Sequence, residues 1–142
     1  MDKQPDKLFV YGSLRSGFRT DAYQYLSQYF HLLGKGTVSG CLYDQGEYPV
    51  AVPTQDEPSL IGELYQLNNF SEFTWVMGQL DDYEGLNTED GKTPLYKREI
   101  TRVKLNDNSI EAWIYWYNRP VTELPRINSG DLLEYLEKKN KP

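Results

Sequence analysis

The chain has 142 residues, 39% of them hydrophobic and 25% charged, which is the composition of one ordinary folded domain and not of a disordered tail. A formal net charge of −6 argues against a nucleic-acid partner, which needs a basic face, and no apolar run reaches the ~20 residues of a membrane span. The opening Met1-Asp2-Lys3-Gln4-Pro5-Asp6 lacks the apolar stretch of a signal peptide, and Cys41 has no second cysteine to pair with. A cytoplasmic location, with no membrane partner, is therefore expected.

In chain order, Lys7-Leu8-Phe9-Val10-Tyr11 reads as a short buried strand ending at Gly12. Thr20 is placed to cap a helix over about 21–30, with Ala22, Tyr25, Leu26, Tyr29 and Phe30 at helical spacing. Gly34 to Tyr43 suggests an extended, strongly bent strand, and Tyr48 to Pro53 an edge strand or extended loop, because its prolines cannot donate to a ladder. Leu60 to Leu67 reads as another strand. Ser71 then caps a second helix running to about Glu84, where Gly85 offers a stop. Strands over about 96–105 and 110–117 follow, joined by Asn106-Asp107-Asn108, and an amphipathic helix over about 131–138 closes the chain. Strands and helices do not alternate regularly. The expected fold is α+β: a small, bent, mixed barrel with flanking helices, one domain over 1–142 with its core at about 7–118.

Three features bear on chemistry. In the second helix, with Phe73 at zero, Met77 falls at about 40°, Leu80 at about −20° and Val76 at about −60°. Glu84 comes at about 20°, inside that apolar face, while Asp82 at about 180° points to water. Either the helix frays before Tyr83 and Glu84 is solvated, or a carboxylate continues the buried stripe, which is costly unless it has work to do. Second, Gly12 and Gly17 flank a loop between a strand and a helix, where exposed N–H groups can hold an anion; a plain glycine turn fits equally. Arg15 either pairs with a substrate carboxylate or is solvated. Third, Asp81 and Asp82 adjoin each other, but no His or further acid cluster supports a metal site. His31 follows a helix end, Ser13 has no triad partners, and Cys41 fits a core position. No cofactor is implied.

Together and in this order, Tyr11-Gly12-Ser13-Leu14-Arg15 and Leu80-Asp81-Asp82-Tyr83-Glu84-Gly85 resemble the γ-glutamylcyclotransferase-like (AIG2-like) family. Gly40-Cys41-Leu42-Tyr43, Tyr48-Pro49, Gly62-Glu63-Leu64-Tyr65, Tyr96-Lys97-Arg98 and Ala112-Trp113-Ile114-Tyr115 follow the same course, so the likeness runs from about Leu8 to Tyr117. The resemblance implies a small bent β-barrel with flanking helices. It also implies release of 5-oxoproline and a free amine from a small γ-glutamyl compound, without a cofactor. It makes Glu84 the acid–base group and assigns Tyr11, Gly12, Ser13, Leu14 and Arg15 to substrate binding. Tyr115 would line the pocket; Tyr96 and Arg98 share a strand face and either do the same or are structural. The polar stretch Asn87 to Pro94 is not fixed by the motif and leaves the leaving group open: glutathione, a γ-glutamyl amino acid, a γ-glutamyl-lysine-type amine or an acyl-carrying intermediate. A second function class, a binding or regulatory module that keeps the pocket without turnover, stays open.

Overall fold

A strand buried on both faces is apolar at successive positions rather than at every second one, and the first strand, β1 (Lys7–Val10), is of this kind from Leu8 to Val10. The computed structural model of the chain describes residues 5–12, 21–45, 49–55, 59–83 and 96–139. Leu8 and Val10 of β1 face a layer of helices, whereas Phe9, with Tyr11 just beyond the strand, points into a barrel. Helix α1 (Asp21–Tyr29) passes directly into β2 (Phe30–Asp44), so the second strand begins four residues before the expected Gly34. Two facts explain the difference. Phe30 is buried in the layer that also holds Leu26, and its backbone already pairs with Leu67. The proposed cap at Thr20 lies outside the described residues.

Strands β3 (Pro49–Pro53), β4 (Ser59–Leu67), β5 (Tyr96–Leu105) and β6 (Asn108–Tyr117) complete the sheet. β2 pairs with β4, β4 with β1, β1 with β6, β6 with β5, and β5 returns to β2 at Thr37 and Lys104. That cycle closes a five-stranded barrel, the fold expected from the sequence. It is mixed because β1 runs parallel to β6, with Leu8 opposite Trp113, while its other neighbour β4 is antiparallel. Closure brings β2 tightly against β5: a Cβ on Gly36 would stand 2.8 Å from Val103 Cγ1 and 3.1 Å from the Lys104 carbonyl oxygen. The far half of β2 carries β3 at the edge, where its terminal prolines cost no central hydrogen bonds. It also carries β7 (Arg126–Ile127), a two-residue strand too short to leave a periodic signal.

The barrel is filled by Phe9, Tyr11, Val38, Leu60, Leu64, Val103, Ala112, Ile114 and Trp116. Outside it, α1 and α2 (Phe73–Tyr83) cover β1, β4 and β6 through Leu26, Val76, Met77, Leu80, Tyr65 and Tyr115. Each fully buried aliphatic side chain contributes about 1.5–3 kcal/mol. The phase of α2 is as its spacing predicts: Val76, Met77 and Leu80 are buried, Phe73 is half-buried and Asp82 is exposed. Its entry differs. A 3₁₀ turn over 70–72 precedes it, and Asn69, not Ser71, is the capping residue, its Oδ1 accepting from the Ser71 N–H at 3.1 Å and the Ser71 hydroxyl at 2.7 Å. The last helix, α3 (Leu132–Lys139), starts after Asp131, whose carboxylate accepts from the Glu134 N–H. No helix among the described residues is long and apolar enough to cross a membrane.

Between β5 and β6, Leu105 pairs with Asn108, leaving a two-residue turn at Asn106 and Asp107. Asn106 has φ 55°, a left-handed conformation that Asn tolerates and most L-residues resist. Asn106→Ala is expected to cost about 1 kcal/mol, read as a melting midpoint lowered by about 3 °C. An unchanged midpoint would show that the turn is not held in this conformation.

Candidate active site

Just beyond β1 lies Tyr11, whose ring is buried in the barrel and whose hydroxyl donates to the Tyr115 carbonyl oxygen at 2.5 Å. Gly12 follows and lies against β3: a Cβ there would meet Pro49 Cγ at 3.4 Å, an ordinary contact. Three stretches singled out in the sequence, at Tyr11-Gly12, Pro49 and Tyr115, therefore converge on one corner of the barrel.

Tyr115 itself points outward to α2. Its hydroxyl donates to Asp81 Oδ1 at 2.8 Å. Arg98, directly opposite Tyr115 on β5, reaches the same carboxylate with a two-pronged grip, Nε to Oδ1 at 2.8 Å and Nη2 to Oδ2 at 3.1 Å. The guanidinium also stacks over Trp113, 4.5 Å from the ring centroid. The Asp81 and Arg98 side chains retain only 17% and 20% of their exposure, so this is a largely desolvated pair rather than a surface contact. A hydrogen bond to a charged group contributes about 1.5–3 kcal/mol, and one partner left alone here would be an unpaired charge with little water.

Of the residues expected at the site, the structure brings Tyr11, Gly12 and Tyr115 together; Ser13, Leu14, Arg15 and Glu84 lie outside the described residues. α2 ends at Tyr83, immediately before Glu84. Arg98 belongs to this corner with its guanidinium engaged by Asp81, which favours the structural alternative for it. Asp81 was weighed in the sequence only as a metal ligand, and its partners on β5 and β6 leave no local signature. Its angle of about 80° from Phe73 puts it at the margin of the apolar stripe, and that was the available hint. Tyr96 stacks edge-on against Tyr117 at 5.7 Å.

Burial, with Tyr29 and Glu72 nearby, pushes the Tyr25 phenol up, so it stays protonated at neutral pH. Among the described residues its hydroxyl has no hydrogen-bond partner. His31 is exposed and pairs through Nδ1 with Asn68 Oδ1 at 2.6 Å. Among the described residues no group of three or more His, Cys, Asp or Glu side chains could hold a metal ion.

Comparison with known proteins agrees with the barrel. The model of the family described as "Gamma-glutamyl cyclotransferase, AIG2-like" matches residues 8–134. The gamma-glutamylcyclotransferase family protein YtfP of Escherichia coli K12 is 33% identical over 129 residues, covering 90% of this chain and 96% of that protein. The solution structure of E. coli ytfP superposes with a TM-score of 0.61 at 30% identity, covering 91% of this chain and 97% of that one. The crystal structure of YkqA from Bacillus subtilis superposes with a TM-score of 0.68 at 25% identity; 96% of this chain is covered, but the match spans only 44% of YkqA. With a barrel of the same topology and a sequence match that runs from β1 into α3, the chain belongs to the gamma-glutamyl cyclotransferase, AIG2-like family.

Proposed function

We propose that the chain is a γ-glutamylcyclotransferase acting on a small γ-glutamyl amide, with Glu84 as its acid–base group. In this reaction the substrate's own α-amine attacks its γ-carbonyl carbon. A new C–N bond closes the five-membered ring of 5-oxoproline, the original amide C–N bond breaks, and the leaving amine carries away a proton. Because nucleophile and electrophile belong to one molecule, the protein's task is to fold the substrate into the reactive conformation. One carboxylate suffices for the protons: it accepts one from the attacking amine and returns one to the departing amine, ending as it began. No electrons change hands and no cofactor is required by the balance.

The observation that carries the proposal is the pair of hydrogen bonds made by Tyr115, whose carbonyl oxygen accepts from Tyr11 beside Gly12 and whose hydroxyl donates to Asp81, three positions before Glu84. The ends of the two motif segments are thereby tied to one residue, the first through its backbone and the second through its side chain, as a site shared between them requires. In the proposed site, the backbone from Gly12 to Leu14 holds the substrate's carboxylate, and Arg15 adds its charge.

The test is incubation of the purified chain with glutathione, several γ-glutamyl amino acids and γ-glutamyl-lysine-type amides, with 5-oxoproline followed by mass spectrometry. Stoichiometric release of 5-oxoproline and amine from at least one member is expected. If none of them turns over while 5-oxoproline still binds, the chain is a small-molecule-binding module instead.

A further inference from the structure

We infer that Asp81, Arg98 and Tyr115 form a positioning clamp that fixes the rotation and height of the last turn of α2. The clamp sets where the chain enters the segment that carries Glu84, and its catalytic part rests on the function proposed above.

The need for such a device follows from how α2 is otherwise held. Val76, Met77 and Leu80 pack it by apolar contact, which is strong but has no preferred direction. Slipping the helix by one residue turns each side chain by about 100° and moves it by about 1.5 Å. Apolar surfaces resist that weakly; a carboxylate held by three directional bonds resists it strongly. Asp81 has those three bonds, two from Arg98 and one from Tyr115, delivered from two adjacent strands at directly opposed positions. The donors are themselves fixed. Arg98 lies over Trp113, and the Tyr115 backbone accepts from Tyr11.

The sequence of the helix end argues for the same role. The C-terminus of a helix carries a partial negative charge and favours cations. α2 has no basic residue in its last turn and has Asp81 and Asp82 there instead. A helix end selected for stability alone would carry Lys or Arg. The cation is supplied from β5 by Arg98, which converts an unfavourable acid into an anchor between helix and barrel. A local rule broken and then compensated across the fold is characteristic of a functional site. Tyr11 extends the same chain of bonds to Gly12, so one network registers both motif segments against each other.

The experiment compares Arg98→Lys, Tyr115→Phe and the parent. Arg98→Lys keeps the charge and loses the two-pronged grip; Tyr115→Phe loses only the hydroxyl and keeps the ring. Amide hydrogen exchange is followed across 79–83, together with melting curves, kcat and KM for 5-oxoproline release. In both variants exchange across 79–83 should quicken about ten-fold or more, with protection of β4 and β6 unchanged. kcat should fall about ten-fold, with KM within about two-fold of the parent, because misplacement affects the reacting geometry more than ground-state binding. Unchanged exchange across 79–83 in both variants overturns the clamp. So does faster exchange with an unchanged kcat, which would make the cluster structural only. A KM that rises at constant kcat also overturns it and makes these side chains substrate ligands. Glu84→Gln separates the two claims: loss of turnover with parent-like exchange supports both. A parent that releases no 5-oxoproline overturns the reaction and the catalytic role of the clamp together. The exchange arm still decides whether the cluster holds the helix end.

Discussion

Glu84→Gln is expected to lower turnover by about 100-fold or more, the usual scale for losing a positioned acid–base group. Glutamine keeps the size of the side chain and much of its hydrogen bonding but cannot accept the proton of the attacking amine. The variant should therefore fold, melt near the parent and still bind 5-oxoproline. Asp82→Asn is the matched control, because Asp82 is exposed on the opposite side of a helix whose Val76, Met77 and Leu80 are buried. It should retain nearly full activity. Equal turnover in Glu84→Gln and the parent would refute the mechanism. A comparable loss in Asp82→Asn would place the functional carboxylate on the other side of α2.

A large effect on stability is expected from one methyl group at Gly62, where β4 crosses β1. A Cβ at this position would stand 2.3 Å from the Val10 carbonyl oxygen and 2.6 Å from Phe9 Cζ. The ring edge could in principle tilt, but the carbonyl belongs to a strand paired on both sides and cannot swing away. Gly62→Ala must push β1 off β4, and overpacking of this kind costs about 3 kcal/mol. For a chain of this length the melting midpoint should drop by roughly 9 °C. Gly78→Ala provides the contrast. It lies inside α2 with nothing within 4 Å of an added Cβ, so the same methyl should raise stability by about 0.5–1 kcal/mol through helix propensity. A Gly62→Ala midpoint within about 2 °C of the parent, where roughly 9 °C is expected, would mean the strands do not approach this closely.

How much could be read in advance depended on the range of the interaction. β1 and α2 were legible because their burial is written in local spacing: a continuous apolar run from Leu8 to Val10 for a strand covered on both faces, and a stripe from Phe73 to Leu80 for a helix on a barrel. The early start of β2 was not, since the Phe30–Leu67 pair that converts a helix end into a strand joins distant segments. β7 was missed because two residues carry no period. The helix cap moved from Ser71 to Asn69, as both residue types can cap and only the path of the backbone decides between them. Tyr11, Gly12 and Tyr115 were singled out through a family likeness, and they lie at one corner of the barrel. The Asp81–Arg98 pair was invisible to local reading. Its partners come from α2 and β5, and only the register of β5 against β6 places Arg98 beside Tyr115.

The parallel pairing of β1 with β6 also governs the order in which the barrel can be assembled. Tyr11 and Tyr115, joined by a hydrogen bond, lie 104 positions apart in the chain, so seating β1 closes a very large loop, and that entropy must be spent before its contacts give any return. β5 and β6, by contrast, form a hairpin across a two-residue turn and can pair at once. Until β1 is inserted, β4 and β6 both present open edges with unpaired N–H and C=O groups, which invite pairing with other chains. The strand at the front of the sequence is thus the last to gain both its neighbours, and the species most prone to self-association is the barrel still waiting for it.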